Sequence, residues 1–166
     1  MPICKESEIE FDFTAAQQVY KHDAEGNCQG TYLDDHNSLW PGVDFRLQDA
    51  HGTIWIEVKN WRVASHNAYA RKMKSEAFAL EMRDKFLGTA AFLAWHGYTM
   101  PAPQSLLLVF IFQPPYSADP ALRGAFTELL RNKLHSGLNK LGVRWAVVDI
   151  ATWNQKFTIY PAEQVR

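Results

Sequence analysis

Glu57 follows Asp44 by thirteen positions and Lys59 follows Glu57 by two, within two runs that alternate apolar and polar residues. The runs, Val43 to Gln48 and Thr53 to Lys59, flank the turn chemistry of Asp49-Ala50-His51-Gly52, so the segment predicts a β-hairpin. Successive strand side chains point to opposite faces. Ile54, Ile56 and Val58 then share one face with Val43, Phe45 and Leu47, leaving Trp55, Glu57 and Lys59 on the other with Asp44, Arg46 and Gln48. A two-residue tip at Ala50-His51, or a four-residue loop from Asp49 to Gly52, pairs residues whose numbers sum to 101, so Asp44 faces Glu57.

Facing side chains have Cβ atoms about 4.5–5.5 Å apart, and like charges so placed destabilise a sheet unless something compensates. A divalent cation would compensate. Magnesium takes carboxylate and carbonyl oxygens and keeps several waters, so Asp44, Glu57 and the Val58 carbonyl form a candidate site for Mg2+ or Mn2+. Lys59 beside it could hold a phosphate oxygen or position an attacking water, while the metal activates that water and stabilises the reacting oxygens. Phosphodiester hydrolysis uses all of these roles. The same residue types also occur in surface hairpins as ordinary solvated neighbours. What favours chemistry is the setting, directly after Ile54-Trp55-Ile56, with an acid opposite and a cationic stretch following.

That stretch runs from Lys59 to Lys85 and holds seven cations against three anions, a balance of +4, while the rest of the chain carries −5. Net charge is only −1, so any affinity for nucleic acid has to be local. Arg71, Lys72 and Lys74 are the candidate phosphate contacts, with a solvated helix face as the alternative. Trp61 follows the lysine closely enough to stack on a base, although a packing role is equally open among six tryptophans.

Pro41-Gly42-Val43-Asp44 followed by Glu57-Val58-Lys59 resembles the signature of the PD-(D/E)XK, or restriction-endonuclease-like, nuclease superfamily. The resemblance covers the hairpin and, by element order, roughly residues 40 to 150. It implies Mg2+ held by Asp44 and Glu57, an attacking water assisted by Lys59, and a mixed β-sheet core flanked by helices. The proline stands three residues before Asp44 rather than adjacent to it. The superfamily's further acid, from its first helix, is assigned to Glu10, with Glu6, Glu8, Asp12 and Asp23 as alternatives.

The elements that must position these residues follow from periodicity. Ile9 to Phe13 alternates like a strand, Thr14 to His22 reads as a short capped helix, and a short strand fits Tyr32-Leu33 in an otherwise polar loop. A long helix is expected from about Ser65, with Tyr69, Met73, Ala77, Leu80, Leu87 and Ala91 at helical spacing, bent or divided at Gly88 and ending near Gly97. The apolar run Ser105 to Phe112 predicts a strand buried on both faces. Asp119-Pro120 opens a helix whose stripe of Leu122, Phe126, Leu129, Leu130, Leu134, Leu138 and Leu141 stops at Gly142. Val143 to Ile150 predicts a strand, and Phe157 to Tyr160 an edge strand. This order gives a mixed α/β sheet with helices on its faces.

With 166 residues, 47% of them hydrophobic, one domain over 1–166 is expected. Cys4 and Cys28 stand in no metal or redox spacing, so neither a disulfide nor zinc is anticipated and a reducing cytoplasm fits. No apolar run reaches membrane-spanning length and no signal-peptide core opens the chain. Asp34-Asp35-His36 reads as a solvated turn, and His22, His51, His66, His96 and His135 have no paired ligand spacing. Nucleophile-elbow, Walker and dinucleotide motifs are absent. The expected function is Mg2+-dependent cleavage of nucleic acid, with DNA as substrate. Two alternatives stay open: an inactive module of the same fold for nucleic-acid binding or protein assembly, and a metalloenzyme for a small phosphate. A homodimer is compatible with either.

Overall fold

The apolar/polar alternation around Ala50-His51 closes a hairpin whose register brings Phe45 opposite Ile56, Arg46 opposite Trp55 and Leu47 opposite Ile54. The computed structural model describes residues 3–22, 32–33, 41–62, 76–113 and 120–165. Along the chain run β1 (Ile3–Glu6), β2 (Ile9–Asp12), β3 (Gln18–Lys21), β4 (Tyr32–Leu33), β5 (Phe45–Asp49), β6 (Gly52–Asn60), α1 (Glu76–Trp95), β7 (Leu106–Gln113), α2 (Pro120–Leu138), β8 (Arg144–Asp149), α3 (Ile150–Lys156) and β9 (Ala162–Gln164).

A mixed six-stranded sheet has the order β4-β3-β5-β6-β7-β8. The β3-β5 and β5-β6 pairs are antiparallel, and β6-β7 and β7-β8 are parallel. The run from Leu106 to Phe112 lies at the middle of the parallel part, apolar on both sides because both faces of the sheet are covered. On one face α1 and α2 pack through Phe78, Met82, Phe86, Leu130, Leu134 and Leu138 against Trp55, Leu108 and Phe110. On the other, Phe45, Leu47, Ile56, Val58 and Val109 meet Phe11, Phe13, Trp153 and Tyr160. That second layer includes a small antiparallel sheet, β1-β2-β9.

Several expectations are corrected. Thr14 to His22 is not a helix: Gln18–Lys21 alternates exposed and buried residues and pairs with β5, and this tertiary pairing outweighs the local capping signal. The expected edge strand at Phe157 to Tyr160 is a turn, and the closing strand lies later, at Ala162–Gln164. Asp149 and Ile150 do not simply end β8, because the Asp149 carboxylate accepts Thr152 N–H at 2.7 Å and starts α3. Leu80, Leu87 and Leu129 are 46%, 45% and 43% exposed, so the buried stripe of α1 runs instead through Phe78, Met82, Phe86 and Leu93. Val43 faces the helices rather than joining Phe45 and Leu47. The helix start expected at Ser65 lies outside the described residues, as do Asp34, Asp35 and His36.

Gly88 does not divide α1. A Cβ there would stand 1.8 Å from the Pro41 carbonyl oxygen, so the glycine is what lets the Pro41-Gly42 segment lie on the helix. Cys4 is fully buried and disulfide-bonded, against the reading from cysteine spacing. A disulfide belongs to oxidising compartments more than to the reducing cytoplasm expected. Cys28 lies outside the described residues. No helix among the described residues is long and apolar enough to cross a membrane.

Candidate active site

The approach of Pro41 to Gly88 delivers the next residues to a fixed place on α1. Val43 N–H donates to Thr89 Oγ1 at 2.9 Å, and the Thr89 hydroxyl donates to the Lys85 carbonyl at 2.9 Å. Val43 is thereby drawn out of the β5-β6 ladder. Its register partner would be Val58, whose N–H is instead accepted by Asp44 Oδ2 at 2.7 Å. The N–H and C=O of one strand residue point to the same side, so the Val58 carbonyl also faces this gap without its ladder donor, Val43 N–H.

Asp44 and Glu57 therefore meet at the end of the hairpin, where Asp44 is 8% exposed and Glu57 fully buried. Three ammonium contacts organise the pair. Lys59 Nζ lies 2.8 Å from Glu57 Oε1 and 3.9 Å from Glu81 Oε1. Lys85 Nζ, from α1, donates to the same Glu57 Oε1 at 2.5 Å and lies 3.8 Å from Asp44 Oδ1. Glu57 Oε2 is buried and has no hydrogen-bond partner among the described residues.

The electrostatics follow from this crowding. Burial raises the Asp44 carboxyl well above the ordinary carboxylate range, the charge of Glu57 and then of Glu6 adding to the rise, while Lys85 and Val58 N–H oppose it. Burial alone would lower Lys85, but Glu57 and Asp44 beside it prevail and raise it, so it stays an ammonium.

Lys85 was not foreseen. The hairpin alone puts Lys59 next to the acids and calls for a metal as the compensating charge, whereas a second lysine supplies part of it across 28 residues of chain. Glu10 does not reach the centre. On β2 it alternates with the buried Ile9 and Phe11 and pairs with Lys5 and Glu163, which puts it on the outward side. Glu6, one of the alternatives, shares the inward side of β1 with Cys4, is bonded by Lys21 Nζ at 3.0 Å, and is the further acid felt by Asp44.

Trp61 is not available for stacking on a base. It is 5% exposed and packs among Phe78, Phe110, Phe112 and Phe126, with ring centroids 5.5–6.1 Å apart. Arg71, Lys72 and Lys74 lie outside the described residues.

Comparison with family models, curated proteins and solved structures returns no match for this chain. The resemblance to the PD-(D/E)XK signature thus stands on the residues themselves.

Asp44, Glu57 and the Val58 carbonyl suit a hard cation. Two carboxylates, one carbonyl and the remaining positions filled by water is a donor set typical of Mg2+. The unpartnered Glu57 Oε2 is a buried acceptor that such an ion would satisfy.

Proposed function

We propose that this chain is a metal-dependent nuclease that hydrolyses phosphodiester bonds, with DNA as substrate, on a restriction-endonuclease-like core. The observation carrying the reading is the meeting of Asp44 and Glu57 beside a shared ammonium, with Glu57 Oε2 buried and unpartnered among the described residues. Element order agrees, since the hairpin carrying both acids is followed by a helix, a central parallel strand, a second helix and a further strand.

Mg2+ or Mn2+, held by Asp44, Glu57 and the Val58 carbonyl, would supply Lewis acidity toward water and toward the charge on the reacting oxygens. The protein's own groups do the rest. Asp44 is fixed by Val58 N–H and Glu57 by burial, so both carboxylates are preorganised rather than recruited from solvent. Lys59 is the more exposed end of the centre, its side chain 22% accessible against 0% for Glu57. It meets the phosphate first, orienting an oxygen of that group or the water that attacks it.

One observation favours a second reading, an inactive module for nucleic-acid binding or assembly. Lys59 and Lys85 both contact Glu57 Oε1, so the acid pair is already charge-compensated without metal. Incubation with plasmid, single-stranded DNA and RNA in Mg2+, Mn2+ and EDTA, alongside Lys59→Ala, separates the readings. Metal-dependent cleavage lost in EDTA and in Lys59→Ala supports the nuclease. Intact substrates in every metal support the module.

A further inference from the structure

We propose that Lys85 is a tethered cation that guards the Asp44–Glu57 centre, and that a divalent metal enters by expelling its ammonium. The inference rests on the metal-dependent reading above and adds to it a step that precedes chemistry.

The position of Nζ carries the argument. It is 2.5 Å from Glu57 Oε1 and 3.8 Å from Asp44 Oδ1, between the two carboxylates that would have to share a metal. A magnesium ion sits about 2.0–2.1 Å from each ligating oxygen. No such ion can bridge Glu57 Oε1 and Asp44 Oδ1 while an ammonium stands against both oxygens.

Charge leads to the same conclusion. Asp44 and Glu57 balance Lys59 and Lys85, all four meeting in or beside a fully buried carboxylate. A divalent cation added to that set leaves two uncompensated positive charges where desolvation makes them costly. Release of one ammonium halves the excess.

Lys85 is the one that leaves. Lys59 is set on the same strand as Glu57, two residues away, whereas Lys85 reaches in from α1, 28 residues along the chain, and stands against both acids. Glu81 is ready to receive it, because it lies one turn earlier on α1, is 41% exposed, and already draws Lys59 to 3.9 Å. Lys85 then stands at the lip of the centre, where a phosphate would arrive.

The test is Mn2+ binding by calorimetry to wild-type, Lys85→Met and Asp44→Asn proteins without nucleic acid, with amine acylation of each lysine followed by mass spectrometry. Expected are an affinity at least ten-fold tighter in Lys85→Met, no binding in Asp44→Asn, and acylation of wild-type Lys85 that rises when Mn2+ is added while that of Lys140 does not. Equal affinities in wild type and Lys85→Met, with unchanged Lys85 labelling, would overturn the guard and leave the metal site standing. Weaker binding in Lys85→Met would also overturn it, making Lys85 a group that positions the acids. No binding to either protein removes the metal reading and the guard together. Should Lys85→Met fail to fold, the metal dependence of Lys85 labelling in the wild-type protein decides.

Discussion

Asp44 Oδ2 accepts the N–H of Val58 at 2.7 Å, occupying the place in the β5-β6 ladder that Val43 vacates when its own N–H turns to Thr89. One displaced residue thus does three things. It caps the open end of the hairpin, points a carboxylate at Glu57, and leaves the Val58 carbonyl facing the same gap. The centre is a consequence of how the strand leaves the sheet to cross the helix.

The raised Asp44 carboxyl has a stability consequence whose sign is fixed. Its cause is burial first, then the charge of Glu57, with Glu6 contributing. The folded state therefore holds the Asp44 proton more tightly than the unfolded one. The resulting stability is fully present below the unfolded value, about 3.9, and is lost as pH rises through the raised folded value. Asp44→Asn keeps an oxygen for Val58 N–H and carries no charge to bury. Without metal it should melt above the wild type near neutral pH, by roughly 2–4 °C for each kcal/mol gained in a chain of this size. The difference should shrink toward about pH 4. Thermal melts across pH check this, and a variant less stable than wild type at neutral pH contradicts it.

Two glycine substitutions should have opposite signs. In Gly88→Ala the new methyl meets the Pro41 carbonyl oxygen at 1.8 Å, pushing the Pro41–Asp44 segment off α1. Overpacking of this kind costs about 1–3 kcal/mol, and the shifted Asp44 should abolish any metal-induced rise in Tm. Gly124→Ala, on α2 with nothing within 4 Å, should be neutral or stabilising by about 0.4–1 kcal/mol. Denaturant unfolding with and without Mn2+ reads both.

How far the sequence carried these conclusions depended on the length scale of each signal. Hairpin register was legible because the turn and both alternating runs lie within 17 consecutive residues, Val43 to Lys59. The site's second lysine was not, because its contact with Glu57 is set by how α1 rotates against the sheet. A signal existed nevertheless. Phe78, Met82, Lys85, Thr89 and Phe92 form a three-and-four-spaced stripe in which Lys85 is the lone charge. The stripe expected through Leu80 and Leu87 is instead exposed. The sequence favours Glu10 and keeps Glu6 as an alternative, and the facing of β1 and β2 reverses that order.

Cys4 provides a check on the core independent of the site. Being fully buried and disulfide-bonded, it should resist thiol reagents in the native protein without reductant. Loss of a native disulfide removes typically about 2–4 kcal/mol. Reduction should therefore lower Tm measurably, read by melts with and without reductant. An unchanged Tm would mean the bond contributes nothing to the fold.

Metal binding and chemistry should separate at Lys59. The folded state alone presents Asp44 and Glu57 together, so Mg2+ or Mn2+ should raise Tm by mass action, by about 2.7 kcal/mol at a hundred times Kd. Asp44→Asn should lose that rise. Lys59→Ala should keep it, since Asp44, Glu57 and the Val58 carbonyl all remain, yet cleave on the order of 10²–10³-fold more slowly, as expected when one preorganised donor is removed. A Lys59→Ala protein that cleaves like wild type would leave the lysine as a charge balance only.

Arg71, Lys72 and Lys74 come two to five residues before the start of α1 in the sequence and remain the candidate phosphate contacts read from its charge. Each phosphate contact releases counterions. Neutralising Arg71 and Lys72 together should weaken nucleic-acid binding whatever the base sequence, and make the slope of log affinity against log salt shallower by about one unit per lost contact. Loss of positive charge weakens binding nonspecifically as well, so the matched control is neutralisation of Lys133 and Lys140, which lie on α2 and the turn after it. Fluorescence anisotropy over a salt series measures both pairs. A larger loss of affinity and slope for Arg71/Lys72 puts this stretch on the substrate path; equal losses reduce it to generic charge and direct the phosphate backbone elsewhere.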